Sequence, residues 1–343
     1  MSKLSVALCT YNGANYVRAQ LQSIAIQTRP PDELVVIDDC STDSTLEIIQ
    51  RFAAQARFPV RLFVNERNVG STKNFERAIS HCEGDIIALS DQDDVWLPHK
   101  LLTFEQALNN ADNVGLVFSD AELTDENLCP LGRRLWEVTF SLADQKKFRE
   151  GLWLDVLMCY NVVTGATMAF RKEFREIALP IPELRNTIHD GWIALVIGAF
   201  AKLAFINEPL VLYRQHGGQQ LGIRQNPSET NVAPDTRPDY RCVARYYAAE
   251  IERLSDIAKL FIELKKRISS GLYDGNVAND AQLGDHIARL QDIMIHYRLR
   301  GQLSPKRLQR LGPIARELLT RRYHRYSKGT LSAIKDLVRD AST

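Results

Sequence analysis

The chain has 343 residues, 45% of them hydrophobic and 25% charged, with a net charge of +1, proportions that suit a soluble globular protein of one large domain with an appendage, or two domains. Its six cysteines are widely spaced with no Cys-x-x-Cys pair, which argues against a zinc ribbon or redox dithiol and fits small buried residues in a reducing compartment. The longest apolar stretch, Trp192 to Ala201, is too short to span a bilayer.

Strand-like residues begin by Leu4, which leaves no room for a signal peptide, so a cytoplasmic protein is expected. The pattern predicts a strand over Leu4–Cys9 and a helix over Tyr16–Ile26, then a strand over Leu34–Ile37. Asp43 or Ser44 can cap a helix over Thr45–Ala54. A strand over Val60–Val64, a helix over Phe75–Cys82, a strand over Asp85–Leu89, a helix after Pro98 and a strand over Val114–Phe118 follow. This alternation predicts a parallel sheet with right-handed crossovers. There is no Gly-x-Gly-x-x-Gly after the first strand and no Gly-Lys-Ser/Thr loop, so the usual dinucleotide fold and the P-loop fit poorly.

Val162–Phe170 reads as a strand broken at Gly165, Asp190–Ala201 as a buried helix and Lys202–Tyr213 as a strand or hairpin. The polar stretch from Gln225 to Asp239 lacks periodicity and reads as a linker or mobile loop. Beyond it, Tyr247, Ile251, Leu254, Ile257, Phe261, Leu264 and Ile268 predict a long amphipathic helix, and Leu283–Tyr297 another. Residues 1–224 carry 22 basic against 28 acidic side chains, whereas 225–343 carry 21 against 14. A basic tail of this kind suits a polyanionic neighbour.

The most informative stretch is residues 85–97, where a short apolar run ends in Asp91, Asp93 and Asp94. Ligands bind at the C-terminal ends of such strands. Asp91 and Asp93 lie two apart, project from one face of extended backbone, and suit a hard cation, Mg²⁺ or Mn²⁺. The competing possibility is a turn whose acids cap the next helix.

Four motifs fall in order at strand ends: Leu8-Cys9-Thr10-Tyr11-Asn12-Gly13, Ile37-Asp38-Asp39-Cys40-Ser41-Thr42-Asp43, Asn65-Glu66-Arg67-Asn68-Val69-Gly70 and Ser90-Asp91-Gln92-Asp93-Asp94. Together they resemble a family 2 glycosyltransferase. Thr164-Gly165-Ala166-Thr167-Met168, His189-Asp190 and Tyr213-Arg214-Gln215-His216 are similar to the bacterial rhamnosyltransferase-like branch of that family. The resemblance covers residues 3–220 or so. It implies an α/β, GT-A fold, Rossmann-like, with a mostly parallel central sheet and helices on both faces, followed by a C-terminal helical region. The expected limits are a glycosyltransferase domain over 1–222, a linker over 223–240 and a helical region over 241–343.

The resemblance also implies roles. Thr10, Tyr11, Asn12, Asp39, Asn68, Lys73 and Asp91 would bind the nucleotide. Tyr11 could stack on a pyrimidine or be a core tyrosine. Asp38 and Asp39 are neighbours on a strand, so only one faces the nucleotide; by resemblance Asp39 accepts the imide N–H of uracil or thymine, unless it is spent on a turn with Ser41. Lys73 could meet phosphate or be a solvated helix residue. Asp91 contacts ribose or metal-bound water, and Asp93, with His216 in reach, holds the metal on the diphosphate. Asp190 is the candidate general base of an inverting transfer, or a simple N-cap. Gly165, His189, Trp192 and Arg214 are weaker candidates for acceptor or phosphate contacts. His189 could orient Asp190 or be structural, and Trp192 could be core. The last motif departs from the Gln-x-x-Arg-Trp pattern of processive relatives, which favours adding one sugar per encounter.

The implied reaction moves L-rhamnose or a similar sugar from a dTDP- or UDP-sugar to a glycan or lipid-linked acceptor. A sugar-phosphate nucleotidyltransferase lacks its basic glycine-rich loop here, and a non-catalytic scaffold sits badly with retention of every acid. Nucleic acid leaves the acidic site unexplained. The basic helices, with Lys306, Arg307, Arg310, Arg316, Arg321, Arg322 and Arg325 among leucines, can rest on anionic lipid at the inner membrane's cytoplasmic face, or form a packing or homo-oligomer interface.

Overall fold

The computed structural model describes residues 2–110, 113–183, 188–219, 240–269 and 280–339. The chain divides into two compact units, one holding residues 1–157, 161–183 and 187–222, the other 158–160, 184–186 and 223–343. The stretch expected to be a linker lies, but for Tyr240, outside the described residues.

The first unit is built on a nine-stranded sheet. Its strands are β1 (Leu4–Thr10), β2 (Glu33–Asp38), β3 (Val60–Val64), β4 (Ile86–Ser90), β5 (Val95–Trp96), β6 (Val114–Thr124), β7 (Pro130–Arg134), β8 (Met168–Arg171) and β9 (Lys202–Arg214). Helices α1 (Val17–Ala25), α2 (Thr45–Ala53), α3 (Ser71–His81) and α4 (Lys100–Asn109) connect the early strands. Short helices α5 (Trp136–Thr139), α6 (Leu142–Arg149), α7 (Trp153–Leu157) and α8 (Arg175–Ala178) precede α9 (His189–Phe200).

The spatial order is β3-β2-β1-β4-β8-β6-β9-β5, with β7 paired to β6. Every residue of β1, β2 and β4 is buried, as a parallel sheet covered on both faces requires. Removing Leu8, Val36 and Leu89 from water contributes about 1.5–3 kcal/mol each. The strands β3, β2, β1 and β4 run parallel, as the βαβ rhythm predicts.

Beyond β4 the sheet is mixed. β8 is antiparallel to both β4 and β6, and β9 is parallel to β6. Two reversals restore the direction, so β9 points the same way as β4. Its C-terminal end therefore reaches the edge at which β1, β2 and β4 end, while the turn before β8 comes to that edge from the opposite sense. That edge carries all the motifs.

Several elements differ from the sequence pattern. α3 starts a turn early, at Ser71, and β6 runs to Thr124. Only Met168–Arg171 of the Val162–Phe170 stretch is strand; Gly165–Thr167 is a 3₁₀ turn. The reason is local: Asn161 takes both polar backbone groups of Val163, and the Gly165 N–H goes to Asp190, so neither joins a ladder. Lys202–Arg214 is one strand rather than a hairpin. Asp43, not Ser44, accepts the Thr45 N–H at the start of α2. Cys9, Cys82 and Cys159 are buried as expected, whereas Cys129 is exposed in the turn between β6 and β7.

The second unit is helical: α10 (Tyr240–Ser269), α11 (Asp280–Gly301), α12 (Arg307–Leu319), α13 (Arg322–Tyr326) and α14 (Thr330–Val338). Leu303, Ile314, Tyr323 and Ala333 form a core against Leu299, Leu318 and Leu337. Beside it, buried Asp336 accepts from Arg300 at 2.6 Å and Tyr323 at 2.7 Å and pairs with Arg339, while Glu317 pairs with His296 at 2.7 Å and Arg322 at 3.0 Å. Buried pairs of this kind add little net stability, because the cost of desolvation offsets their attraction. No helix among the described residues is long and apolar enough to cross a membrane.

Candidate active site

A cavity of about 200 Å³ opens at the C-terminal strand edge of the first unit, lined in part by Thr10, Tyr11, Asp39, Asn68, Asp91, Asp93, Gly165, His189, Asp190 and His216. Residues at or following the ends of five strands (β1, β2, β3, β4 and β9), the turn before β8 and the start of α9 thus meet in one place.

The two acids ending β2 do different work. Asp38 is buried and closes the turn, accepting the Ser41 N–H at 2.7 Å and the hydroxyls of Ser41 and Thr10 at 2.6 and 2.7 Å. Asp39 lines the cavity and accepts from Asn65 Nδ2 at 2.6 Å and the N–H groups of Val69 and Gly70 at 2.8 and 2.9 Å. A carboxylate has about four acceptor positions, so three bonds leave one for a ligand N–H. The Asn65–Gly70 loop is thus moulded round the acid rather than competing for all of it. Tyr11 is half-exposed beside it.

Gln92, between the two acids of the Asp-x-Asp motif, fastens the Tyr11 loop in place. Its Oε1 accepts the Tyr11 N–H at 2.8 Å and its Nε2 donates to the Tyr11 carbonyl at 2.9 Å. A Cβ on Gly13 would lie 2.1 Å from that Oε1, so only glycine lets the side chain cross.

At the other end, burial pushes Asp91 above the usual carboxylate range; repulsion from Asp93 and Asp190 adds to this, and Lys100 opposes it. His216 Nδ1 accepts the Gly218 N–H at 3.2 Å, which puts the neutral ring's proton on Nε2, 3.0 Å from Asp93 Oδ2. Burial also raises Asp94, whose Oδ1 accepts the Arg214 N–H at 3.1 Å while Oδ2 is buried with no partner. Lys100 is fully buried, donates to the Ala166 carbonyl at 2.6 Å and lies 3.5 Å over the Trp96 ring. Burial lowers the pKa of Lys100 as it raises those of Asp91 and Asp94, so clustered carboxyls face a single buried amine that holds its proton weakly, and the site is short of positive charge. Oxygen donors with one imidazole fit Mg²⁺ or Mn²⁺. Among the described residues no three His, Cys, Asp or Glu side chains group closely enough to hold an ion unaided.

Asp190 enters the cavity from the first turn of α9, which favours an anion there. Its Oδ1 accepts the Gly191 N–H at 2.5 Å and Asn161 Nδ2 at 3.0 Å, and its Oδ2 accepts the Gly165 N–H at 3.1 Å. Burial raises its pKa to about 6 against those three donors. This is a carboxylate poised to take a proton near neutrality. His189 does not orient it. The ring is stacked on Phe75 at 4.0 Å, both its nitrogens are buried without partners, and burial lowers its pKa to about 3, so it stays neutral. A Cβ on Gly165 would meet His189 Nε2 at 2.8 Å.

Four candidates lie off the cavity lining. Asn12 uses its amide oxygen on the Thr42 N–H at 2.8 Å. Lys73 Nζ bridges Glu76 and the Ile181 carbonyl, both at 2.9 Å, so its charge is already matched. Trp192 is a core residue, its Nε1 donating to the Ala178 carbonyl at 2.8 Å. Arg214 is buried, donates to the carbonyls of Asp93 and Glu126 and covers the Tyr16 ring; it props the Asp93 backbone from behind. Asn65, Gln92 and Asn161 were not singled out from sequence. Gln92, inside the Asp-x-Asp motif, and Asn65, at the head of the third strand-end motif, had a signal there; Asn161 had none.

The sequence model for Glycosyl transferase family 2 matches residues 5–173. An uncharacterised glycosyltransferase of Nostoc sp. is 28% identical over 221 residues, covering 63% of this chain and 65% of the relative. TuaG of Bacillus subtilis, named for a glycosyltransferase of teichuronic acid biosynthesis, is 31% identical over 214 residues, covering 62% of this chain and 78% of its own. The dTDP-rhamnosyl transferase RfbG of Shigella flexneri is 27% identical over 225 residues, covering 63% and 73%. The matches span 65% and 59% of the first relatives' lengths, short of two thirds. The solved structure of S. aureus TarS 1–349 with UDP-GlcNAc shares the fold, with a TM-score of 0.56 at 16% identity over 98% of this chain and 88% of that one.

Proposed function

We propose, from the premise that the chain belongs to glycosyl transferase family 2, that it transfers a sugar with inversion from a dTDP- or UDP-linked donor to a hydroxyl of a cell-surface polysaccharide precursor. L-Rhamnose is the first sugar to try, because a relative is named a dTDP-rhamnosyl transferase. A polysaccharide acceptor agrees with the name of the teichuronic acid relative; we further propose that it is carried on lipid and met from the cytoplasmic side. One observation carries the reading: Tyr11, Asp39, Asp91, Asp93 and Asp190 line a single cavity.

Tyr11 offers a ring to stack on the pyrimidine, and the free acceptor position of Asp39 takes the imide N–H of uracil or thymine. Cytosine has no such proton and would leave that acid unpaired, which selects against it. Asp91 faces the ribose. Asp93 and His216 would hold Mg²⁺ or Mn²⁺ against the diphosphate, His216 giving up its bond to Asp93 and presenting Nε2 without its proton. Such a cation neutralises charge on the departing nucleoside diphosphate. Asp190, held rigid by Asn161 and two backbone N–H groups, takes the acceptor hydroxyl's proton as the oxygen attacks the anomeric carbon, an effect worth about 10²–10⁴-fold. Gly165 and the neutral His189 shape the wall beside it.

The test is release of nucleoside diphosphate from dTDP-rhamnose and a series of UDP-sugars, with Mn²⁺ and a lipid-linked glycan fraction as acceptor. Acceptor-dependent release from one of these supports the reading. Thermal stabilisation by none of them, or release of pyrophosphate instead, would overturn it.

A further inference from the structure

The solvent face of α12 carries apolar residues that no described residue of the second unit covers. At 3.6 residues per turn, Leu308, Leu311, Ala315 and Leu319 fall within an arc of about 80°. Leu308 and Leu319 are 83% and 85% exposed, although the helix already buries Arg310, Ile314 and Glu317 on its other side. Exposed Arg307 and Arg316 flank the stripe on either side. The neighbouring α14 repeats the pattern with exposed Leu331, Ile334 and Val338 beside Lys335.

The exposed charges of residues 301–339 have one sign. Between residues 301 and 339 the acids are Glu317 and Asp336, and both are buried in ion pairs. The exposed charges are Lys306, Arg307, Arg316, Arg321, Arg325 and Lys328. A helix with an apolar stripe between basic residues has the form that lies in a membrane interface. Two copies of so basic a face would repel each other, whereas an anionic bilayer supplies both the opposite charge and an apolar interior.

We infer that the α12 face, continued by α14, docks the second unit on an anionic lipid surface, with Leu308 and Leu319 entering the interface and the flanking basic residues meeting the headgroups. The surface belongs wholly to the second unit and would serve whichever sugar the first unit handles.

The full chain is floated with vesicles of phosphatidylglycerol and phosphatidylcholine in equal parts, and with phosphatidylcholine alone, at low and high salt. Flotation with the anionic vesicles alone, reversed by salt, is expected. Replacing Arg307 and Arg316 with glutamine should lower partitioning on the order of thirtyfold, since each basic residue near such a surface contributes about fivefold. The double substitution Leu308→Glu and Leu319→Glu should abolish it, with thermal stability unchanged because both side chains are exposed. Failure of the wild type to float, or equal flotation with neutral vesicles, overturns the inference. So does a dimer in light scattering that the leucine variant dissociates, for then a second copy covers the face.

Discussion

Replacing Asn161 with alanine probes the candidate base without touching it. The side chain donates to Asp190 Oδ1 at 3.0 Å and otherwise bonds only the polar backbone groups of Val163. Alanine therefore removes one of three donors to the carboxylate, leaving Gly191 and Gly165. A hydrogen bond to a charged group is worth about 1.5–3 kcal/mol, and one pKa unit is about 1.4 kcal/mol. The lost bond favoured the ionised form, so Asp190 should rise from about 6 by on the order of one unit. The carboxylate is the active form, so activity appears as pH rises through that value. The assay is kcat/KM for the donor against pH. The variant's acid limb should move to higher pH, with about a tenfold deficit near pH 5 that nearly closes by about pH 8. A uniform loss with an unmoved limb would mean that Asn161 supports the fold only, and would refute the assignment of Asp190 as the titrating base.

Asp190→Asn should keep donor affinity by calorimetry while turnover falls about 10²–10⁴-fold; near-normal turnover would remove it from the base role. Gly13→Ala should break the Gln92 clamp, because the new Cβ falls 2.1 Å from Oε1; donor KM should rise several-fold with little change in melting temperature, and unchanged kinetics would show the clamp to be idle. Lys73→Met should leave donor affinity intact, since its ammonium is taken by Glu76 and Ile181; weaker donor binding would restore it to the phosphate site.

The parallel half of the sheet was legible because β1, β2 and β4 are unbroken buried runs, each ending in a polar motif. The mixed half was not, since strand direction leaves no mark in a sequence. That reversal is what brings Gly165, before β8, to the edge where Asp91 follows β4. The pleat showed that Asp38 and Asp39 diverge, and resemblance favoured Asp39; the turn with Ser41 that competed for Asp39 belongs to Asp38 instead. Asn161 was invisible because its role depends on α9, distant in the chain. Lys73 and Trp192 were plausible by position alone, and their neighbours Glu76 and Ala178 use the polar atoms that would have served a ligand. The same holds for Arg214, turned toward backbone carbonyls.

The most direct measurement is calorimetric titration of UDP, dTDP and CDP into the protein with and without Mn²⁺, repeated on Asp93→Ala. One cleft that pairs a uracil-reading acid with a cation-assisted diphosphate clamp should bind UDP or dTDP well over tenfold tighter than CDP, only with Mn²⁺, and lose that dependence with Asp93. Equal affinity for CDP, or binding indifferent to both Mn²⁺ and Asp93, would contradict it.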